Sequence, residues 1–414
     1  MNLDKLAIKE IKGGVAFPMG FIACGVKAGI KSKTKYDMAL IQSEVQAQAA
    51  GVFTRNVVKA HPLMLTRKHL MDGTARAVIV NSGNANACMG ELGDKAALEM
   101  AKETADKLGI ALEDVIVAST GVIGEEMPMD KIKSGIVLAV NELKCIDKSD
   151  EGLKGDYANK AALAIMTTDT IQKEKAYELK CSIGSIRMGI MAKGSGMIHP
   201  NMGTMLSFIT TDALVEADIL QKLLKEAVDE TFNMITVDGD TSTNDMAVIL
   251  ANGMSGFSLQ GEELKAFGAM LKKACQDMAI AIARDGEGAS KLIEAQVKGA
   301  ASLEDARKIV RSVCSSSLVK SAIYGEDANW GRIIAAAGYS GAIFDPWKVN
   351  IFLGNIQVAK NGQGLKFSEI EAKELLMKDE IIIRIELGDG GLFAKGWGCD
   401  LTHKYVDINA SYRS

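Results

Sequence analysis

"AKGSGMIHPNMGTMLSFITTDA", residues 192–213, changes character in its middle. Up to Gly203 the residues are small and turn-prone, whereas from Thr204 onward the run is apolar and β-rich, the composition of a buried strand. A threonine hydroxyl is a weak nucleophile unless something takes its proton. An N-terminal threonine carries its own base, an α-amine with a reference pKa of about 7.7–8. Here the chain starts at Met1, so such a residue has to be released by cleavage. The Thr204 hydroxyl would attack the Gly203 carbonyl, the acyl group would shift from N to O, and water would free a new N-terminus. Gly203 offers an unhindered carbonyl on flexible chain, and Thr204 leads directly into a rigid strand. Alone, the step is a weak signal, because Gly-Thr at the mouth of a strand is common and ordinarily structural.

The remaining chain alternates two periods. "RAVIVNSG" (76–83), "DVIVASTG" (114–121), "MAVILANG" (246–253) and "EIIIRIELG" (380–388) are short, β-rich and end in turn residues. Helical spacing with a closing glycine marks 95–109, 262–286 and 302–325, and the same spacing runs over 216–235. Several strands are apolar on both faces, so the fold class predicted is α/β, a layered sandwich with helices covering central sheets. The 41 glycines cluster at segment ends, and no low-complexity linker or short repeat divides the chain. The nearest thing to a boundary is the opening stretch, which separates two nearly equal parts, 1–203 and 204–414.

Composition narrows the function. A net charge of −4 without a Lys/Arg cluster argues against nucleic-acid and anionic-membrane partners. Seven scattered cysteines, odd in number and without C-x-x-C, fit a reducing cytosol. The first residues lack the apolar core of a secretory signal, and no run approaches the roughly 20 apolar residues of a membrane span. "GSGMIH" has His199 where a dinucleotide fingerprint needs its third glycine. "DGDTSTND" (238–245) begins like a calcium loop, but Thr243 replaces the required glycine and Ile249 cannot coordinate, so it reads as a polar turn. The four histidines, His61, His69, His199 and His403, stand in no metal-ligand spacing. A Ser-His-Asp hydrolase stays formally open, although no serine is marked by its context.

The whole string around Thr204 resembles the self-cleavage region of the ornithine acetyltransferase/glutamate N-acetyltransferase family. The resemblance continues in order through "GVFTRN", "VNSGNANACMG", "VASTGVIGEEMPM", "AIMTTDT", "TVDGDTSTNDM", "ARDGEGASKLIE", "GEDANWGRI" and the terminal "WGCDLTHKYVDINASYRS". It implies a layered α/β sandwich self-cleaved between Gly203 and Thr204 into two interlocked halves. Thr204 is implied as the nucleophile, and Thr120 with Gly121 as the oxyanion-stabilising pair. Substrate contacts are implied for Thr167 (Thr168 being the near alternative), Lys193, Thr204, Glu287, Asn409 and Ser414. A free amino acid carries a carboxylate and an amine, so its site needs a cation and an anion, which Lys193 and Glu287 would supply. Members mostly have alanine where Gly203 stands and threonine where Ser414 stands. The implied reaction is ping-pong transfer of acetyl from N-acetylornithine to glutamate in arginine biosynthesis, with acetyl-CoA as a further donor in some members. No metal or bound cofactor is required. A cytoplasmic heterotetramer of two α and two β chains is also implied. Two rivals are a self-processed aminopeptidase or amidase, passing the acyl group to water, and a non-catalytic binding protein, needing no cleavage.

Overall fold

The computed structural model describes residues 8–181, 184–199 and 205–411. Nine strands form the first sheet: β1 (Ile8–Ile11), β2 (Phe21–Val26), β3 (Met38–Phe53), β4 (Thr74–Asn84), β5 (Val115–Val122), β6 (Lys173–Cys181), β7 (Gly184–Lys193), β8 (Leu206–Thr211) and, after β9 (Ile235–Thr236) of the second sheet, β10 (Met246–Ala251). Their order is β1-β6-β7-β8-β10-β3-β4-β5, with β2 also paired to β3. The second sheet adds β11 (Leu292–Ala300), β12 (Asn350–Leu353), β13 (Ile356–Lys360), β14 (Gln363–Gly364), β15 (Glu380–Glu386) and β16 (Leu392–Cys399), in the order β14-β13-β12-β15-β11-β16-β9. Both sheets are mixed: β8 runs parallel to β10 and antiparallel to β7, and β11 runs parallel to β15 and antiparallel to β16.

Period-2 alternation distributes the strands' apolar residues between layers. On β2–β5, Ile22, Leu40, Ile79 and Val117 meet Met100 of α2 (Gly90–Leu108) and Ile136 of α3 (Met129–Cys145), which follow α1 (His61–His69). The alternate residues Phe21, Ile41, Val78 and Ile116 meet Ala158, Ala161 and Ala162 of α4 (Glu151–Ala164). Farther along the sheet, Ile190, Ile209 and Ile249 face α5 (Ala217–Glu230) and α6 (Gly261–Arg284). These helices share one core with Ile293, Ala295 and Trp397 of the second sheet. That core draws on residues before 203 and after 204 alike. The six residues of β8 are all buried, as expected for a strand apolar on both faces.

The second sheet carries α7 (Leu303–Ser315), α8 (Ser317–Tyr324) and α9 (Trp330–Gly338), followed by α10 (Glu369–Leu376) and α11 (His403–Ser411). The continuous helix expected over 302–325 is therefore two helices. Ser316 adopts extended backbone, and its hydroxyl accepts the Val319 N–H, so it caps α8 where a helix interior would leave that oxygen unused. Likewise the pattern over 216–235 ends as α-helix at Glu230 and runs through a short 3-10 turn into β9. Among the described residues no helix is long and apolar enough to cross a membrane.

Candidate active site

The start of β8 lies between the end of β7 and the start of β10, with Leu206 opposite Lys193 on one side and Met246 on the other. A cavity of about 190 Å³ opens there. Into it converge Thr120 and Gly121 of β5, Thr167 and Thr168, Lys193, Glu287 and Asn409 of α11. These are all of the expected site residues that the structure describes. Gly203, Thr204 and Ser414 lie outside the described residues.

Lys193 and Glu287 are not solvated surface charges: each is under one-tenth exposed. Burial lowers the Lys193 pKa, while Asp169 and Asp245 oppose the shift and Lys173 adds to it. Its Nζ donates to Thr120 Oγ1 at 3.2 Å. An ammonium has no lone pair to offer, so the Thr120 hydroxyl keeps its own proton free to donate elsewhere. Glu287 accepts from Asn409 Nδ2 at 2.8 Å, and its backbone N–H donates to Ser195 O at 3.0 Å. Gly196 makes room for this carboxylate, since a Cβ there would collide with it. Thus the "GSG" of 194–196, unfit for a dinucleotide, serves close packing.

Gly121 has φ +134°, and a Cβ would run into the Gly83 backbone on neighbouring β4. Gly121→Ala is expected to cost about 1–3 kcal/mol, because the side chain meets both a disfavoured φ and rigid backbone. Chemical denaturation checks this, and an unchanged midpoint would show that β4 yields without penalty.

Beneath the cavity stands a buried ionic pillar that sequence reading missed. Lys173 of β6 bridges Asp169 at 2.7 Å and Asp285 at 2.6 Å, and its side chain is fully buried. Asp169 also accepts the N–H groups of Gly194 and Thr167, at 2.7 and 3.0 Å. Asp285 takes the Thr170 N–H and hydroxyl, and its backbone carbonyl receives the Ser195 hydroxyl. Burial pushes the Asp169 carboxyl up, but Lys173, Lys193 and these hydrogen bonds together hold it below its ordinary value. The pillar fixes the chain just after Lys193, at Gly194 and Ser195, and two residues before Glu287.

The 238–245 segment is a turn, as expected, but a lining one. Asp238 accepts the N–H groups of Met197 and Ile198 at 2.6 and 2.8 Å. Asn244 Nδ2 donates to Ala85 O and Ser119 O, tying the turn to β5. Thr243, Asn244 and Asp245 are buried, and Tyr405 of α11 closes the same cavity. A polar run leading straight into "MAVILA" was the available signal for these residues.

Three of the four described histidines, His61, His69 and His199, are structurally engaged. Arg311 donates to His199 Nε2 at 2.9 Å; a guanidinium only donates, so Nδ1 carries the proton and gives it to Thr236 Oγ1 at 3.0 Å. Burial, then Arg311, lowers the His199 pKa to about 4, leaving the ring neutral at physiological pH. His61 Nε2 accepts the Met89 N–H while Nδ1 faces Asp94, and His69 Nδ1 donates to Val115 O. No serine is among these partners.

Comparison with known proteins agrees with the motif reading. The ArgJ family model matches residues 22–414. The arginine biosynthesis bifunctional protein ArgJ of Symbiobacterium thermophilum is 51% identical over 409 residues, covering 98% of this chain and 99% of that protein. Its namesake in Thermotoga neapolitana is 50% identical over 408 residues, covering 96% and 99%. Among solved structures, the ArgJ protein of Bacillus halodurans aligns at 49% identity over 50% of this chain and 100% of its own, with a TM-score of 0.49. With the family model spanning nearly the whole sequence and relatives matched end to end at half identity, the chain belongs to the ArgJ family.

Proposed function

We propose that this protein transfers an acetyl group from N-acetylornithine to glutamate through an acetyl ester on Thr204, releasing ornithine and N-acetylglutamate. The observation that carries the reading is the convergence of a buried cation, Lys193, and a buried anion, Glu287, in one cavity with Thr120 and Gly121, at the start of the strand that Thr204 precedes. The curated relatives' name places those proteins in arginine biosynthesis.

Lys193 receives the α-carboxylate and Glu287 the free ammonium, which in N-acetylornithine is the side-chain one because the α-nitrogen is acylated, one charge-assisted contact for each. Self-cleavage leaves Thr204 with a free α-amine, and the shared core keeps the two halves together. The amine takes the hydroxyl proton as oxygen attacks the acetyl carbonyl, and the Thr120 hydroxyl and Gly121 N–H stabilise the oxyanion. Collapse of the intermediate passes that proton to the departing ornithine nitrogen. Glutamate then attacks the ester by the reverse sequence. No bound cofactor is part of this route, because the acyl group rests on the protein. Acetyl-CoA enters the reading as a second donor to the same ester, supported by the word "bifunctional" in the relatives' name.

Incubation with N-acetylornithine and glutamate tests the reading: N-acetylglutamate is expected, and release of free acetate instead would make the protein a hydrolase. Lys193→Ala and Glu287→Ala each lose a charge-assisted hydrogen bond of about 1.5–3 kcal/mol. Their kcat/KM per cleaved chain is expected to fall by about one to two orders of magnitude. Wild-type kinetics in both would remove them from substrate recognition.

A further inference from the structure

A second, open cavity of about 680 Å³ lies between α5, α7 and the segment after β3. Its cationic lining is Arg55, two residues past β3, with Arg307, Lys308 and Arg311 of α7, and its acidic lining is Asp229 and Glu304. Both carboxylates are already engaged. Asp229 meets Lys225 at 2.8 Å and Asn233 at 2.9 Å, and Glu304 meets Lys308 at 2.8 Å. The three guanidiniums have no such counterpart. Among the described residues the side chains of Arg55 and Arg307 form no hydrogen bond or ion pair, and Arg311 donates to the neutral His199 ring alone. Burial lowers the Arg311 pKa and no carboxylate opposes the shift. This half-buried cation therefore lacks the anion that ordinarily accompanies a desolvated charge.

Arg307 and Arg311 stand one helical turn apart on α7, and Arg55 enters from a separate segment. A guanidinium presents a planar fork of N–H donors that matches phosphate oxygens two at a time. Three forks in one cavity suit adjacent phosphate groups better than a single carboxylate. The cavity also shares structure with the candidate active site. Asn56, next to Arg55, donates to Thr241 O at 2.9 Å, and His199, whose ring Arg311 holds, accepts the Thr241 hydroxyl on its carbonyl at 2.8 Å. Thr241 stands between Asp240 and Ser242, both of which line the active-site cavity.

We infer that this second cavity binds a compound carrying two or more adjacent phosphate groups, held by Arg55, Arg307 and Arg311. That chemistry has two sources, the diphosphate of a coenzyme-borne acyl donor or a free phosphate compound. The site does not depend on Thr204 or on the acetyl-transfer reading.

Calorimetric titration of the full-length protein with pyrophosphate, at constant ionic strength, reads the site directly. Saturable binding is expected. Arg55→Gln and Arg307→Gln each remove charge-assisted hydrogen bonds to the anion and are expected to weaken it by about ten- to a hundredfold. Neither side chain has a partner to lose in the folded protein, so these two variants keep the test free of folding defects. Arg311→Gln must weaken binding as well, while Lys265→Gln, in an exposed pair on α6, must leave it unchanged. Coenzyme A then separates the sources. Displacement of pyrophosphate by coenzyme A, with the same dependence on the arginines, assigns the phosphates to an acyl donor; pyrophosphate binding that persists beside coenzyme A assigns them to a free phosphate compound. No saturable binding of either probe, or equal affinity in the wild type, Arg55→Gln and Arg307→Gln, overturns the inference. The titration involves no acetyl transfer, so its failure and the failure of the functional reading are separate results.

Discussion

Thr204→Ala is expected to leave the chain whole on a denaturing gel and to reduce acetyl transfer to background. The substitution removes the one hydroxyl that serves both steps. On the proposed route it attacks the Gly203 carbonyl in the uncut chain and carries the acetyl group in the cut chain. On that route loss of the nucleophile is not offset by the rest of the site, since the roles proposed for Lys193, Glu287 and Thr120 are to bind and stabilise, not to hold an acyl group. Thr204→Ser keeps the hydroxyl and is expected to be cut and active at a different rate, because serine lacks the β-methyl that restricts χ1. Assays of N-acetylglutamate formation beside a gel separate the outcomes. Full transfer activity in Thr204→Ala would remove the covalent route.

The largest stability effect is expected from Lys173→Met. Methionine matches lysine in length but leaves Asp169 and Asp285, both buried, without the cation they share. Breaking a buried ion pair by removing one partner costs about 3–5 kcal/mol, read as a lower denaturant midpoint. Exposed pairs such as Lys265–Glu262 carry no such expectation. Activity is expected to fall as well, because Asp169 holds the Gly194 N–H beside Lys193 and Asp285 precedes Glu287 by two residues. Combining Lys173→Met with Asp169→Asn and Asp285→Asn removes the uncompensated charges and is expected to recover much of the stability. An unchanged midpoint in Lys173→Met alone would deny the pillar its structural role.

Much of this was legible in the residues, for identifiable reasons. "MAVILA" is apolar at every position and the run after Thr204 places Leu206, Phe208 and Ile209 on both of its faces, a pattern that suits strands covered on both sides; β10 and β8 are so covered. Lys193, Glu287, Thr120, Gly121, Thr167 and Asn409 came from ordered motifs, and the fold gathers them in one cavity from five separate segments. The break at Ser316 was hidden because apolar spacing continues across it, and only the serine cap separates α7 from α8. Lys173 left no local trace, since its partners stand at Asp169 and Asp285 and meet only in the folded chain. Asp245 was read as part of a polar turn, because side-chain burial is invisible in a run whose composition alone suits solvent.

Mass spectrometry of the purified protein after incubation with N-acetylornithine alone tests the acetyl-threonine route most directly. Two fragments are expected, the second beginning Thr-Met-Leu-Ser-Phe and heavier by one acetyl group at Thr204, with glutamate discharging that group as N-acetylglutamate. A single unmodified chain that still transfers acetyl to glutamate would contradict it.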